Sequence, residues 1–352
     1  MILDAERLDL AQEIEAILAA VPAEFEGQVK PELMQSVLEI ATRPCEDVRR
    51  AGEELARLRR CVSQIAEERG LLVAASGTHP SAHWEDQKIV ERPRYEELVE
   101  ELNFIAHQEL IFGTHVHVAI EGPDRAIYVA DGIRRYLPLL LALSANSPFW
   151  RGQRTGMMSS RTPIFRAFPR VGIPPHYGTW EIYSHRVEQM MRGGAIEDYT
   201  YMWWDVRPHP NLGTVETRVF DQQTTLSHTI GLAALTAALA HRMSALYDAE
   251  EPLVEQPTEL IDDNKVRAAV GGMDSRLIDF WRGEQVPAEQ MARGLMGELA
   301  DDAAALGCAA ELELLEELLE GQTGAQRQLR FWERNGQDLS ILVREMVADT
   351  RA

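Results

Sequence analysis

A chain of 352 residues can bury a sizeable core, as one large domain or two tightly joined ones. Its 45% hydrophobic and 26% charged residues are the proportions of an ordinary globular protein that folds in water. A formal net charge of −21 repels a phosphate backbone, which excludes nucleic acid as the main partner.

Residues 1–22 read as a short apolar fragment, a turn, and a helix ending near Pro22. Ser36–Thr42 alternates as a strand does, and Pro44 closes it. Asp47–Arg69 has helical periodicity, with Gly52 its one breaker. Leu71–Pro80 is a strand running into a Gly/Pro turn. Tyr95–Glu109 is helical and leads into the strand of "FGTHVHVAI", Phe112–Ile120. Ala126–Ser144 is a helix bent near Pro138. Residues 145–180, rich in Gly, Pro, Ser, Arg and aromatics, form a long irregular loop, and such loops commonly carry function. Met202–Asp221 is strand, turn and strand. Thr224–Tyr247 is an apolar core helix, and the remainder from about Asp262 is helical and acidic. Gly-Thr-His recurs at 77–79 and 113–115, too short an echo to be a repeat.

The longest apolar runs, around Leu137–Leu143 and Gly231–Ala240, are too short to span a bilayer. No basic-then-apolar leader opens the chain. Cys45, Cys61 and Cys308 lack metal-type spacing and suit a reducing compartment. The expectation is a cytoplasmic protein with small-molecule partners and no membrane. Lysine occurs only at Lys30, Lys88 and Lys265, so nearly all positive charge is arginine. Arginine's forked donor suits carboxylate and phosphate groups.

Three strands set polar residues opposite apolar ones, because residues two apart share a face. Glu39 opposes Leu38 and Ile40. His115 and His117 oppose Val116 and Val118, and Glu216 and Arg218 oppose Val215 and Val219. An α+β fold accounts for all three: a mainly antiparallel sheet, helices on one face, a polar cavity on the other. Carboxylates and imidazoles there could bind divalent cations, and the arginines could bind phosphate. Each feature alone has a plainer reading. A strand glutamate is usually solvated, a strand histidine usually hydrogen-bonded structure, and Glu-X-Arg usually a surface ion pair. "GTHP" at Gly77–Pro80 reads equally as a turn. No P-loop, dinucleotide fingerprint, H-E-x-x-H or G-x-S-x-G motif is present.

The stretches "KPELMQSVLEIATRPC", "GTHP", "FGTHVHV", "YLPLLLALSANSPFWRGQRTGMMSSR", "WWDVRPHPNLGTVETRVFD" and "GAQRQ" follow one another along residues 30–328. With them the chain resembles the bacterial glutamate–cysteine ligase type 2 family, carboxylate–amine ligases of the glutamine-synthetase-like superfamily. The resemblance covers nearly the whole chain as a single catalytic domain. It implies a curved antiparallel sheet forming an open funnel, with helices outside. It also implies an ATP- and Mg²⁺-dependent reaction that activates a carboxylate, commonly that of glutamate, as acyl phosphate and couples it to an amine such as cysteine. By the same resemblance Glu32, Glu39, His115 and Glu216 are metal ligands, and Arg161 and Arg218 contact phosphate and substrate carboxylate. His117 lines the same cavity, Arg207 is a further nucleotide contact, and Mn²⁺ is a substitute for Mg²⁺ beside an imidazole. A homodimer is left open.

Two departures accompany the resemblance. Family members begin with a strand like Gly-Val-Glu-Glu-Glu-Phe, whereas "MILDAERLDL" resembles the segment just after it; the expectation is that in-frame upstream nucleotides encode that strand. In "NKVRAAVGG", Val266 and Val270 stand where the family usually has Trp and Arg. Two other functions therefore remain in view: a non-catalytic relative that binds nucleotide or amino acid, and a metal-dependent hydrolase using the same residues.

Overall fold

Strands that alternate valine with a polar residue need an apolar surface on one side only, and the computed structural model, which describes residues 1–351, has one. Gly113–Ala119, Thr214–Asp221 and Val206–His209 form a three-stranded antiparallel sheet with Thr214–Asp221 in the centre. His117 lies opposite Glu216 on one side, and Arg207 lies opposite Glu216 on the other. That register puts His117, Arg207, His209, Glu216 and Arg218 on one face. Val206, Val215 and Val219 occupy the other face and join the main core, against which Val116 and Val118 also pack.

Helices Pro123–Ile133, Leu137–Ser144 and Leu226–Asp248 cover the valine face. Leu226–Asp248 is long and apolar enough to cross a membrane by length and composition alone, because its helix runs on past the apolar stretch at both ends. Leu232, Leu235, Leu239 and Met243 are nevertheless buried in the core cluster, the role expected of a core helix. Helix Val48–Glu67 packs against it and starts at Asp47, whose carboxylate accepts the Arg50 N–H at 2.7 Å.

Several expectations need correction. The described residues hold one three-stranded and four two-stranded antiparallel sheets, small and unclosed. Most ladders run only two to four residues, and a bulge between Thr114 and Val116 breaks the register at the longest one. The acidic region after residue 262 contains a hairpin, Arg276–Asp279 with Glu284–Pro287. Helix Trp180–Arg192, capped by Thr179, follows the irregular loop. The helix expected over 126–144 is divided by a 3-10 turn at Arg134–Tyr136, and that over 95–109 breaks at Asn103, where φ is 46°.

Candidate active site

The polar face of the central sheet is organised by Glu216, whose side chain is 2% exposed. Arg207 Nε donates to its Oε2 at 2.7 Å, and Arg218 donates to its Oε1 at 2.5 Å. The rings of His115 and His117 lie 3.6 and 3.7 Å from Oε1. Burial alone would raise the Glu216 pKa, but Arg218, His115, Arg207 and His117 outweigh it and hold the carboxyl well below its usual range. Burial, reinforced by Arg218, pushes His115 well below 6.5, and burial lowers His117 as well. His117 Nδ1 lies 3.0 Å from Thr214 Oγ1, and its ring meets His209 edge-on at 5.4 Å.

A second group comes from the hairpin of Val29–Pro31 and Leu38–Ile40, in which Lys30 faces Glu39. Glu32, two residues beyond Lys30, lies next to Glu39. Burial first, then the charges of Glu39 and Glu109, push the Glu32 carboxyl up to about 8. Burial likewise pushes Glu109 up to about 7, against the pull of Arg218 and Arg161. Tyr95 donates to Pro31 O at 2.9 Å, and its hydroxyl pKa is raised by burial and then by Glu32 and Glu39. Arg218 acts on both Glu32 and Glu109, so the acidic group and the arginine–histidine group adjoin one another.

The four metal ligands implied by the resemblance thus fall into two sets, Glu32 with Glu39 and His115 with Glu216. Among the described residues no three His, Cys, Asp or Glu groups are placed to hold an ion. Both Glu216 oxygens already accept from arginine. The Glu32–Glu39 pair fits a divalent cation better, because a cation can relieve the repulsion that raises the Glu32 pKa.

Arg161 is 5% exposed and sits behind the sheet face. It donates to the carbonyls of Val219 and Arg218, each at 3.3 Å. A Cβ on Gly113 would meet its NH2 at 2.5 Å, so the glycine of "FGTHVHV" makes room for this guanidinium. Arg161 lines a small depression together with Asp205, Lys265, Phe165 and Val219. "GTHP" is a structural turn: His79 is buried, its Nδ1 accepts the N–H groups of Ser81 and Ala82, and its Nε2 lies 3.1 Å from Leu8 O.

Sequence reasoning missed two residues here. His209 was within reach of it, since alternation from Arg207 puts it on the same face. Glu109 was not, because only the turn after helix Phe104–His107 brings it to the acidic group.

Known proteins resemble the chain over nearly its whole length. The model of glutamate–cysteine ligase family 2 matches residues 2–346. A Rubrobacter xylanophilus protein named "Putative glutamate--cysteine ligase 2-1" is 42% identical over 341 residues, covering 97% of this chain and 90% of its own. A Sorangium cellulosum protein named "Putative glutamate--cysteine ligase 2" is 38% identical over 335 residues, covering 95% and 89%. The crystal structure of glutamate–cysteine ligase from Francisella tularensis in complex with AMP shares the fold, with a TM-score of 0.72 at 13% identity, covering 100% of this chain and 87% of that one. The chain belongs to glutamate–cysteine ligase family 2, a family of carboxylate–amine ligases.

Proposed function

We propose that the protein is an ATP-dependent ligase that activates a carboxylate, that of glutamate, as acyl phosphate and joins it to an amine such as cysteine. The observation that carries this reading is the adjacency of two oppositely charged groups: Arg207, Arg218, His115 and His117 around Glu216, and Glu32, Glu39 and Glu109 beside them. Phosphoryl transfer is largely a matter of positioning and charge neutralisation, so it needs cations for phosphate oxygens and carboxylates for metals. Mg²⁺, when bound, would neutralise charge on the transferred phosphoryl group, and Glu32 with Glu39 would hold it. Arg218 orients anionic groups, as its fork allows, while Glu216 holds one of its terminal nitrogens. The imidazoles of His115 and His117, with pKa values lowered, add hydrogen-bonding groups without further charge.

The AMP in the Francisella tularensis relative supports a nucleotide site in this chain too. The test is phosphate release with ATP, Mg²⁺ and glutamate against a panel of amines. Release that depends on both glutamate and one amine supports the reading and names the amine. Nucleotide binding without turnover would instead identify a non-catalytic relative, and nucleotide-independent hydrolysis would overturn the ligase reading.

A further inference from the structure

The central strand ends at Asp221, a wholly buried carboxylate that the reaction above does not use. Its Oδ2 accepts the Asn146 N–H at 2.9 Å and the Ser147 hydroxyl at 2.7 Å; its Oδ1 accepts the Ser159 hydroxyl at 2.9 Å. A Cβ on Gly77 would come within 2.9 Å of the same carboxyl, so a fourth segment closes over it. Arg161 NH1 stands 4.0 Å from Oδ1.

Arg161 is buried and short of partners. Its guanidinium donates hydrogen bonds to the two carbonyls at 3.3 Å, with the Phe165 ring 5.5 Å away and Asp221 at 4.0 Å. Burial and the neighbouring Arg218 both work against its charge. A buried guanidinium in that position needs an opposing charge. Asp221 is the foremost one, ahead of Asp205 and Glu109. The hold is double: Ser147 Oγ accepts the Arg161 N–H at 3.1 Å while donating to Asp221. One carboxylate therefore governs both the backbone and the tip of Arg161. Through the Arg218 and Val219 carbonyls, Arg161 in turn grips the stretch of strand that carries Arg218.

We propose that Asp221 is a positioning residue for the ligase reaction, holding Arg161 against the backbone of Arg218 and Val219 and so fixing how Arg218 is presented beside Glu216. It rests on the reading that Arg218 works on substrate. A merely structural knot would also use these hydrogen bonds, so hydrogen exchange tests the hold on Arg161 and the split between kcat and KM tests the positioning role.

Asp221→Asn in the full chain keeps the shape and removes the charge. Hydrogen exchange of the Arg161 Nε–H, followed by ¹⁵N NMR, is expected to quicken roughly tenfold or more. Ser147→Ala, a milder change that cuts the same double hold, is expected to quicken it less, and it serves if Asp221→Asn fails to fold. In the phosphate-release assay Asp221→Asn is expected to lower kcat roughly tenfold with KM for glutamate little changed, and Arg161→Lys added to it is expected to lower kcat no further. Unchanged Arg161 exchange, or multiplying rate losses in the double variant, overturns the proposal. A wild-type protein without amine-dependent phosphate release sinks the ligase reading instead, while the exchange measurement still judges Asp221's hold on Arg161.

Discussion

Two charged clusters adjoin in this protein, and the carboxyl pKa values of Glu216 in one and Glu32 in the other move in opposite directions. Glu216, its side chain only 2% exposed, is held ionised, whereas the partly exposed Glu32 is pushed up to about 8. Burial works against the charge in both. The difference lies in the company: Glu216 faces two arginines and two imidazoles, whereas Glu32 faces Glu39 and Glu109. The first cluster has its charges satisfied within the protein and acts as a rigid support. The second has unmet negative charge, the state in which a site awaits a cation.

The largest expected effect comes from the satisfied cluster. Glu216→Gln leaves Arg207 and Arg218 buried side by side with no counter-charge, and breaking a buried pair in this way costs about 3–5 kcal/mol. Chemical unfolding is expected to show that loss, and ligase turnover is expected to vanish with it. The acidic cluster is expected to behave oppositely. Glu39→Gln removes repulsion, so the metal-free protein keeps or gains stability, while turnover falls roughly 10²–10³-fold through loss of an electrostatic contact. If Glu39→Gln unfolds the protein as readily as Glu216→Gln, the two clusters are not different in kind.

The pH dependence of stability divides along the same line. Glu216 has a lowered folded pKa, so its contribution is present above its unfolded value of 4.5 and is lost as pH falls. Glu32 and Glu109 have raised folded values of about 8 and 7, so the folded state binds more protons than the unfolded one between 4.5 and those values. Their effect is a stability that declines as pH rises through that window. The lowered pKa values of His115 and His117 act the other way below 6.5, and so, up to pH 8, does that of the Met1 amino group, which burial lowers from 8.0 to about 5. Glu32 is therefore isolated by difference: between pH 6.5 and pH 8 the stability of metal-free Glu32→Gln is expected to fall less, or rise more, than that of the wild-type protein. An equal change in the two proteins would detach Glu32 from the effect.

How much of this was legible in the sequence follows from what strands and helices repeat. Period-two alternation placed Glu216, Arg218, His115 and His117 on one face, and the register then put Arg207 beside them. The long helices at 48–67 and 226–248 were equally plain from periodicity. Charge balance was not. Glu216 and Glu39 look alike as strand glutamates, and only the neighbouring strands decide that one meets arginines and the other a carboxylate. Glu109 was hidden because a turn, which has no period, delivers it. The hairpin at 276–287 was hidden because two four-residue strands are too short to interrupt a helical composition.

The smallest expected effect belongs to Lys30, the cation that faces Glu39 across the hairpin at 3.9 Å. Its side chain is 52% exposed and that of Glu39 39%. Water and salt therefore screen the pair, and an exposed pair of this kind is worth roughly 0.2–1 kcal/mol. Lys30→Ala is expected to change stability by no more than that. In 1 M salt, where the screening length is about 3 Å, even this difference is expected to disappear. The Glu216→Gln penalty is expected to survive the same salt, because its partners are buried. Losing Lys30 also removes the one positive side chain on that face of the hairpin, so a divalent cation is expected to bind somewhat more tightly to the variant, as titration calorimetry with Mg²⁺ can measure. A Lys30→Ala penalty of several kcal/mol that resists salt would mean the acidic cluster is as closed and as internally balanced as the one around Glu216, and the contrast between them would fall.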